Sequence, residues 1–262
     1  MKKTEIINHI TNWLKDYVLQ NGLKGFVLGI SGGIDSALVS TLCAKTGLPL
    51  LCLEMPIHQH PDQINRATKH IDWLKKHFPN VKSQTIDLTS TFEEMTKVLP
   101  DHQNREKTDL SLANTRARLR MTTLYYFAGI ESLVVTGTGN KIEDFGIGFY
   151  TKYGDGGVDI NPIADLTKTQ VYALAEELNI SSAILKAKPT DGLFGDERSD
   201  EEQIGATYPE LEWAMQAYEE GKSSTDFKGR KAEVFLIYKR RHEINQHKWK
   251  PIPVCKIPKE LF

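Results

Sequence analysis

GISGGIDSALVS, residues 29–40, sets two glycines between two serines and follows them with an aspartate, at the end of an apolar run. Residues 25–30 before it read as a buried strand. Residues 34–45 after it place Leu38, Val39, Leu42 and Cys43 at helical spacing, with Gly47 as a stop. Ser31-Gly32-Gly33 is therefore a strand-to-helix turn. Such a turn leaves backbone N–H groups unpaired at the positive end of a helix, where an anion binds. Gly32 and Gly33 have no Cβ, so a phosphate can approach the main chain, and Ser31 and Ser36 add hydroxyl donors. Asp35 repels a bare phosphate but suits a Mg²⁺ that bridges phosphate oxygens. The turn has neither the Lys-[Ser/Thr] of a Walker loop nor G-x-G-x-x-G spacing. On the turn alone, anion binding and a plain tight connection stand level.

Outward from this turn, short apolar runs at 48–57, 81–88 and 132–137 read as further strands. Helices are expected over 62–78, 90–98 and 111–128, with a polar loop at 100–108 between the last two. From residue 167 the chain reads as helical, at 171–178, 210–218 and 226–244. The N-terminal segment shows an amphipathic face of Ile6, Ile10, Trp13, Leu14, Tyr17 and Val18. Strands alternating with helices predict an α/β fold with a mainly parallel sheet. No repeat, low-complexity tract or linker divides the chain, so one domain over 1–262 is expected.

Composition narrows the function classes. A net charge of −1 gives no basic excess for a general grip on nucleic acid. Cys43, Cys52 and Cys255 are too few and too scattered for a disulfide framework or a zinc site, and the first two sit in apolar runs as core thiols. There is no signal peptide and no apolar run of membrane-spanning length, so a cytoplasmic protein is expected.

Three further stretches carry chemistry. On the helix at 111–121, Arg116, Arg118 and Arg120 fan over a broad sector among Ala113, Ala117, Leu119 and Met121. Helical arginines are usually a solvated face, but an apolar setting suits recognition of phosphate or carboxylate. Residues 136–163 form a glycine-rich span that starts at a strand's C-terminal end, where open α/β sheets bind ligands. Its length without regular structure favours a shaped lid at about 138–160 over simple turns. Glu143, Asp144, Asp155 and Asp159 offer carboxylates there, and Lys141 and Lys152 offer positive charge. A second glycine- and acid-rich loop, at about 188–205, lacks EF-hand spacing.

S-G-G-x-D-S, matched at residues 31–36, is the pyrophosphate-loop pattern of the N-type ATP pyrophosphatases. With N-x-x-A-R-x-R-M at 114–121, T-K-Y-G-D-G-G at 151–157 and K-P-T-x-x-L at 188–193, the chain resembles the NAD synthetases over essentially its whole length. The resemblance implies a doubly wound parallel sheet flanked by helices, Rossmann-like and of the adenine nucleotide alpha-hydrolase type. It also implies a homodimer, for which the helix at 111–128 is a candidate interface element, although simple core packing would explain that helix equally. The implied reaction amidates deamido-NAD with ammonia, using ATP and Mg²⁺, through an adenylated carboxylate, with release of AMP and pyrophosphate. Carried over by motif, Gly29, Ile30, Ser31, Gly32, Gly33, Ile34, Asp35 and Ser36 would wrap the ATP phosphates. Thr138, Lys168 and Thr190 would also contact ATP, and Asp35 and Lys168 would act in catalysis. Arg118, Lys152, Asp159, His247 and Lys248 match positions for deamido-NAD, the last two on resemblance alone within a basic tail. Asp35 and Glu143 would hold the metal. Many family members have one residue fewer between the metal carboxylate and T-K-Y-G-D, so counting forward from Thr138 selects Glu143 and counting back from Thr151 selects Asp144. Glutamine-dependent relatives carry an amidase domain, for which the roughly 30 residues before the loop are too few on domain-size grounds. The alternatives are another enzyme of the superfamily, such as a tRNA-thiolating one, and a non-catalytic ATP-binding module. The first would bring a basic surface and a cysteine pair; the second has no need of an arginine helix with two acidic loops.

Overall fold

The structure, a computed structural model, describes residues 1–187 and 199–262. Among these residues four short strands pair in parallel. They are β1 (Gly25–Gly29), β2 (Leu50–Glu54), β3 (Val81–Thr85) and β4 (Leu133–Val135), in the order β3-β2-β1-β4. All four lie within the stretches expected as strands. β1, β2 and β4 are continuous apolar runs because both faces of the sheet are covered. β3 lies at an edge and is polar beyond Val81.

Alternation along the strands sorts side chains into two cores. Phe26, Leu28, Leu50 and Cys52 face helices α1 (Lys3–Gln20), α2 (Ile34–Lys45), α3 (Pro61–His77) and α6 (Lys168–Glu177). Val27, Leu51 and Leu53 face α4 (Thr89–Lys97) and α5 (Arg105–Glu131). A third cluster joins α9 (Tyr208–Glu219) and α10 (Arg230–Asn245) to Ile142 and Ile147. The short helices α7 (Ser182–Leu185) and α8 (Asp200–Ile204) flank the undescribed stretch. Helices on both faces of a parallel sheet make the doubly wound α/β fold.

Local expectations are corrected at three places. α5 begins at Arg105, six residues before the expected start, because the Asn104 side chain accepts from Lys107 N at 3.0 Å and caps it. The polar loop shrinks accordingly. On α1 the buried residues are Ile7, Ile10, Leu14 and Val18, while Trp13 is 42% exposed and leans on Tyr17. Within 138–160, residues Lys141–Ile147 form a π-helix, one residue wider per turn than an α-helix. The stretch then returns to the sheet through a parallel bridge between Thr136 and Ile160. Cys43 and Cys52 are buried as expected, and no helix among the described residues is long and apolar enough to cross a membrane.

Candidate active site

A cavity of about 330 Å³ opens at the C-terminal ends of β1, β2 and β4. The strand order reverses direction between β1 and β4, so the cavity sits at the topological switch point. Its floor is the turn after β1. Gly32 adopts φ +80, and a Cβ there would meet Gln63 O at 2.5 Å, so glycine is required twice over. The two serines are tied together: Ser31 Oγ lies 3.1 Å from Ser36 Oγ and accepts from Gly33 N at 3.2 Å, and Ser36 Oγ donates to Gly33 O at 3.0 Å. The turn therefore holds its shape without a ligand. Every residue from Gly29 to Ser36 lines the cavity, as does Thr138.

Beside the turn lies an ionic centre. Asp35 stands in the first turn of α2, and Lys168 opens α6. Lys168 Nζ donates to Asp35 Oδ2 at 2.6 Å and to Glu143 Oε1 at 2.8 Å. Its side chain is 3% exposed, and those of the two carboxylates are 17% and 15% exposed. Burial works to lower the lysine's pKa, but Asp35 and Glu143 outweigh it and hold the ammonium above its usual range. Asn140 completes the frame. Its Nδ2 donates to Asp35 Oδ1 at 3.1 Å and to Glu143 Oε2 at 2.6 Å, while its Oδ1 caps Ile142 N and Glu143 N. Tyr208 donates its hydroxyl proton to Glu143 Oε1. Neither Asn140 nor Tyr208 was singled out from sequence.

The carboxylate partnered with Asp35 is thus Glu143. Asp144, the next residue, is buried against Gly139, where a Cβ would collide with its oxygens. Desolvation raises its pKa well above the carboxylate range, and the carboxylates of Asp155, Glu143 and Asp35 add to the rise. Both candidates lie on the π-helix, Glu143 turned to Lys168 and Asp144 to Gly139. No group of three or more metal-ligating His, Cys, Asp or Glu side chains converges among the described residues. Two carboxylates beside a glycine turn are a donor set that would suit a Mg²⁺.

The three arginines of α5 part company, as their fan predicted. Arg116 lies over the Phe92 ring. Arg120 turns into the cavity wall and donates to Met55 O at 2.9 Å and Gln59 Oε1 at 2.8 Å; burial, with Arg116 nearby, pulls its pKa down to about 10. Arg118 is exposed and reaches Lys152 O at 3.3 Å. The other positions expected to contact deamido-NAD have contacts of their own. Lys152 Nζ donates to His247 O, and Lys248 Nζ donates to Gly148 O and Tyr150 O, both at 2.6 Å. Lys248, although in a basic tail, is therefore folded inward, while His247 is exposed. Asp159 accepts from Tyr125 OH and from Val135 N, each at 2.8 Å, and so pins the glycine-rich span to α5 and β4. None of these five lines the cavity. Thr190, with the K-P-T motif, lies outside the described residues.

Comparison with known proteins agrees with this geometry. The family model for NAD synthase matches residues 6–252. The NH(3)-dependent NAD(+) synthetase of Methanosarcina mazei is 35% identical over 254 residues, which cover 94% of this chain and 96% of that one. Among solved structures, an NMN synthetase from Francisella tularensis has a TM-score of 0.84 at 31% identity, covering 98% of this chain and 100% of that one. The NH3-dependent NAD synthetase from Campylobacter jejuni has a TM-score of 0.78 at 26% identity, with the same coverage. This chain belongs to the NAD synthase family.

Proposed function

We propose that this chain is an ammonia-dependent ligase that converts deamido-NAD, ATP and ammonia to NAD, AMP and pyrophosphate. The observation that carries the reading is the Asp35–Lys168–Glu143 centre beside a preformed phosphate turn at the switch point. A pyridine carboxylate has no leaving group that ammonia can displace. Transfer of AMP to that carboxylate makes a mixed anhydride, which ammonia attacks to form the amide and release AMP. The protein's work is alignment of two anionic substrates and compensation of charge that moves onto pyrophosphate.

The turn's backbone N–H groups and the hydroxyls of Ser31 and Ser36 would hold phosphate oxygens, with Thr138, which lines the same cavity, beside them. Asp35 and Glu143 would hold a Mg²⁺, which when bound neutralises phosphate charge. Lys168 gives up its carboxylate partners and turns its ammonium to the phosphates. Thr190 remains an ATP contact by motif. Arg118, Lys152, Asp159, His247 and Lys248 would take deamido-NAD on the adjoining face, with a second copy of the chain completing a homodimer. One catalytic domain working in the cytoplasm fits this reading.

A second reading has its own support. The likeness to the Francisella tularensis NMN synthetase favours the same chemistry on a mononucleotide acceptor. One experiment separates them: purified protein with ATP and Mg²⁺, given deamido-NAD or nicotinate mononucleotide, with ammonium or glutamine. NAD from deamido-NAD and ammonium, with AMP released in equal amount, is expected. Amide formed only from the mononucleotide would select the second reading, and no amide from either would refute both.

A further inference from the structure

We infer that Tyr208 is a positioning residue for Glu143, keeping that carboxylate in place when Lys168 leaves it. The proposal rests on the reading above, in which Glu143 helps hold a cation beside the ATP phosphates. Glu143 Oε1 accepts two hydrogen bonds, from Lys168 Nζ at 2.8 Å and from the Tyr208 hydroxyl. Lys168 cannot stay between the two carboxylates and also serve phosphate oxygens. Once it turns away, the tyrosine hydroxyl is the donor left on that oxygen, and Asn140 Nδ2 remains on the other.

Tyr208 is built to be immobile. It opens α9 behind the N-cap residue Thr207, and its backbone N–H donates to Glu201 Oε1 at 2.8 Å. Its ring is 4% exposed, packs in the third core cluster, and lies 5.0 Å from Lys168 Nζ, on which its face is directed. The hydroxyl carries a single proton and lies between two carboxylates, with Asp200 Oδ2 at 3.4 Å on the far side. The donation to Glu143 is the shorter, so the proton is aimed at the cation-holding carboxylate. A buried hydroxyl needs an acceptor in any case; of the two carboxylates within reach, the one it serves is Glu143 of the ionic centre.

Tyr208→Phe tests this, because it removes the hydroxyl and keeps the packed ring. Mn²⁺ binding is measured by electron paramagnetic resonance in the presence of α,β-methylene-ATP, for the wild type and the variant. Expected is a loss of metal affinity of about tenfold or more, the scale of a hydrogen bond to a charged group. The analogue's own affinity without metal should stay unchanged. In turnover the variant should require correspondingly more Mg²⁺ and regain much of its rate at excess Mg²⁺, with KM for deamido-NAD unmoved. Equal Mn²⁺ affinity in the two proteins, or a rate defect that excess Mg²⁺ does not relieve, would overturn the inference. A wild type that binds no Mn²⁺ with the analogue would overturn the cation reading itself, and that result needs no variant to be seen.

Discussion

Replacing Lys168 by methionine isolates what the ionic centre costs when its cation is taken away. The substitution keeps the aliphatic stem and deletes the ammonium that sits 2.6 Å from Asp35 and 2.8 Å from Glu143. Both carboxylates are less than a fifth exposed, and Asn140 holds them together through one amide group. Breaking a buried ion pair by removing one partner costs roughly 3–5 kcal/mol. At roughly 2–4 °C per kcal/mol in domains of this size, the unfolding midpoint should fall by about 6–20 °C. The assay is thermal unfolding followed by circular dichroism at neutral pH, with and without millimolar MgCl₂ at matched ionic strength. A divalent cation should recover part of the loss in Lys168→Met by replacing the missing charge. In the wild type, Mg²⁺ without nucleotide should shift the midpoint little, because Lys168 already occupies the place between the carboxylates. An unchanged midpoint in the variant, or the same response to Mg²⁺ in both proteins, would refute the reasoning.

Further outcomes can be checked separately. His70 is 3% exposed and bonded to Ser40 Oγ at 2.9 Å, and burial lowers its pKa from 6.5 to about 4. The unfolded chain therefore binds the extra proton between these values, so stability falls as pH drops through that window, by about 3 kcal/mol in all. Urea unfolding at pH 7 and pH 4.5 should show that loss, and His70→Gln should flatten its own share of it. Gly32→Ala places a Cβ against Gln63 O in a left-handed backbone; the conformation alone costs about 1–2 kcal/mol, and ATP affinity by calorimetry should fall by tenfold or more. Glu143→Gln should raise the Mg²⁺ concentration needed for half-maximal rate far more than Asp144→Asn does. The reverse order would move the metal carboxylate to Asp144.

The fold was largely legible because its signals are short-range. β1, β2 and β4 are each an apolar run, since both sheet faces are covered, and the Ser31–Ser36 turn announces its helix through glycines and an aspartate in the first turn. Asp35 and Glu143, which the structure brings together on Lys168 and Asn140, each belong to a local pattern. Tyr208 was not. It sits in an ordinary capped helix start, Thr207-Tyr-Pro-Glu210, and meets Glu143 across 65 residues of chain. Only tertiary packing brings α9 under the π-helix. The contacts of Lys248 were hidden for a related reason: composition shows only a basic tail, and its two carbonyl partners lie about a hundred residues upstream. Trp13 failed the other way, since hydrophobicity predicts burial while the helix turns its face to Ile7, Ile10 and Leu14.

The π-helix at Lys141–Ile147 has a consequence for how the chain can change length. A turn with i→i+5 bonds takes in one residue more than its α-helical counterpart while both of its ends stay where they were. Upstream, Gly137 and Thr138 remain fixed to the end of β4; downstream, Thr151 keeps its bonds to Asn114 and Asp155. Deleting one residue at this turn would return it to α-helical spacing, so the length of the chain here and the place of Glu143 beside Lys168 are linked.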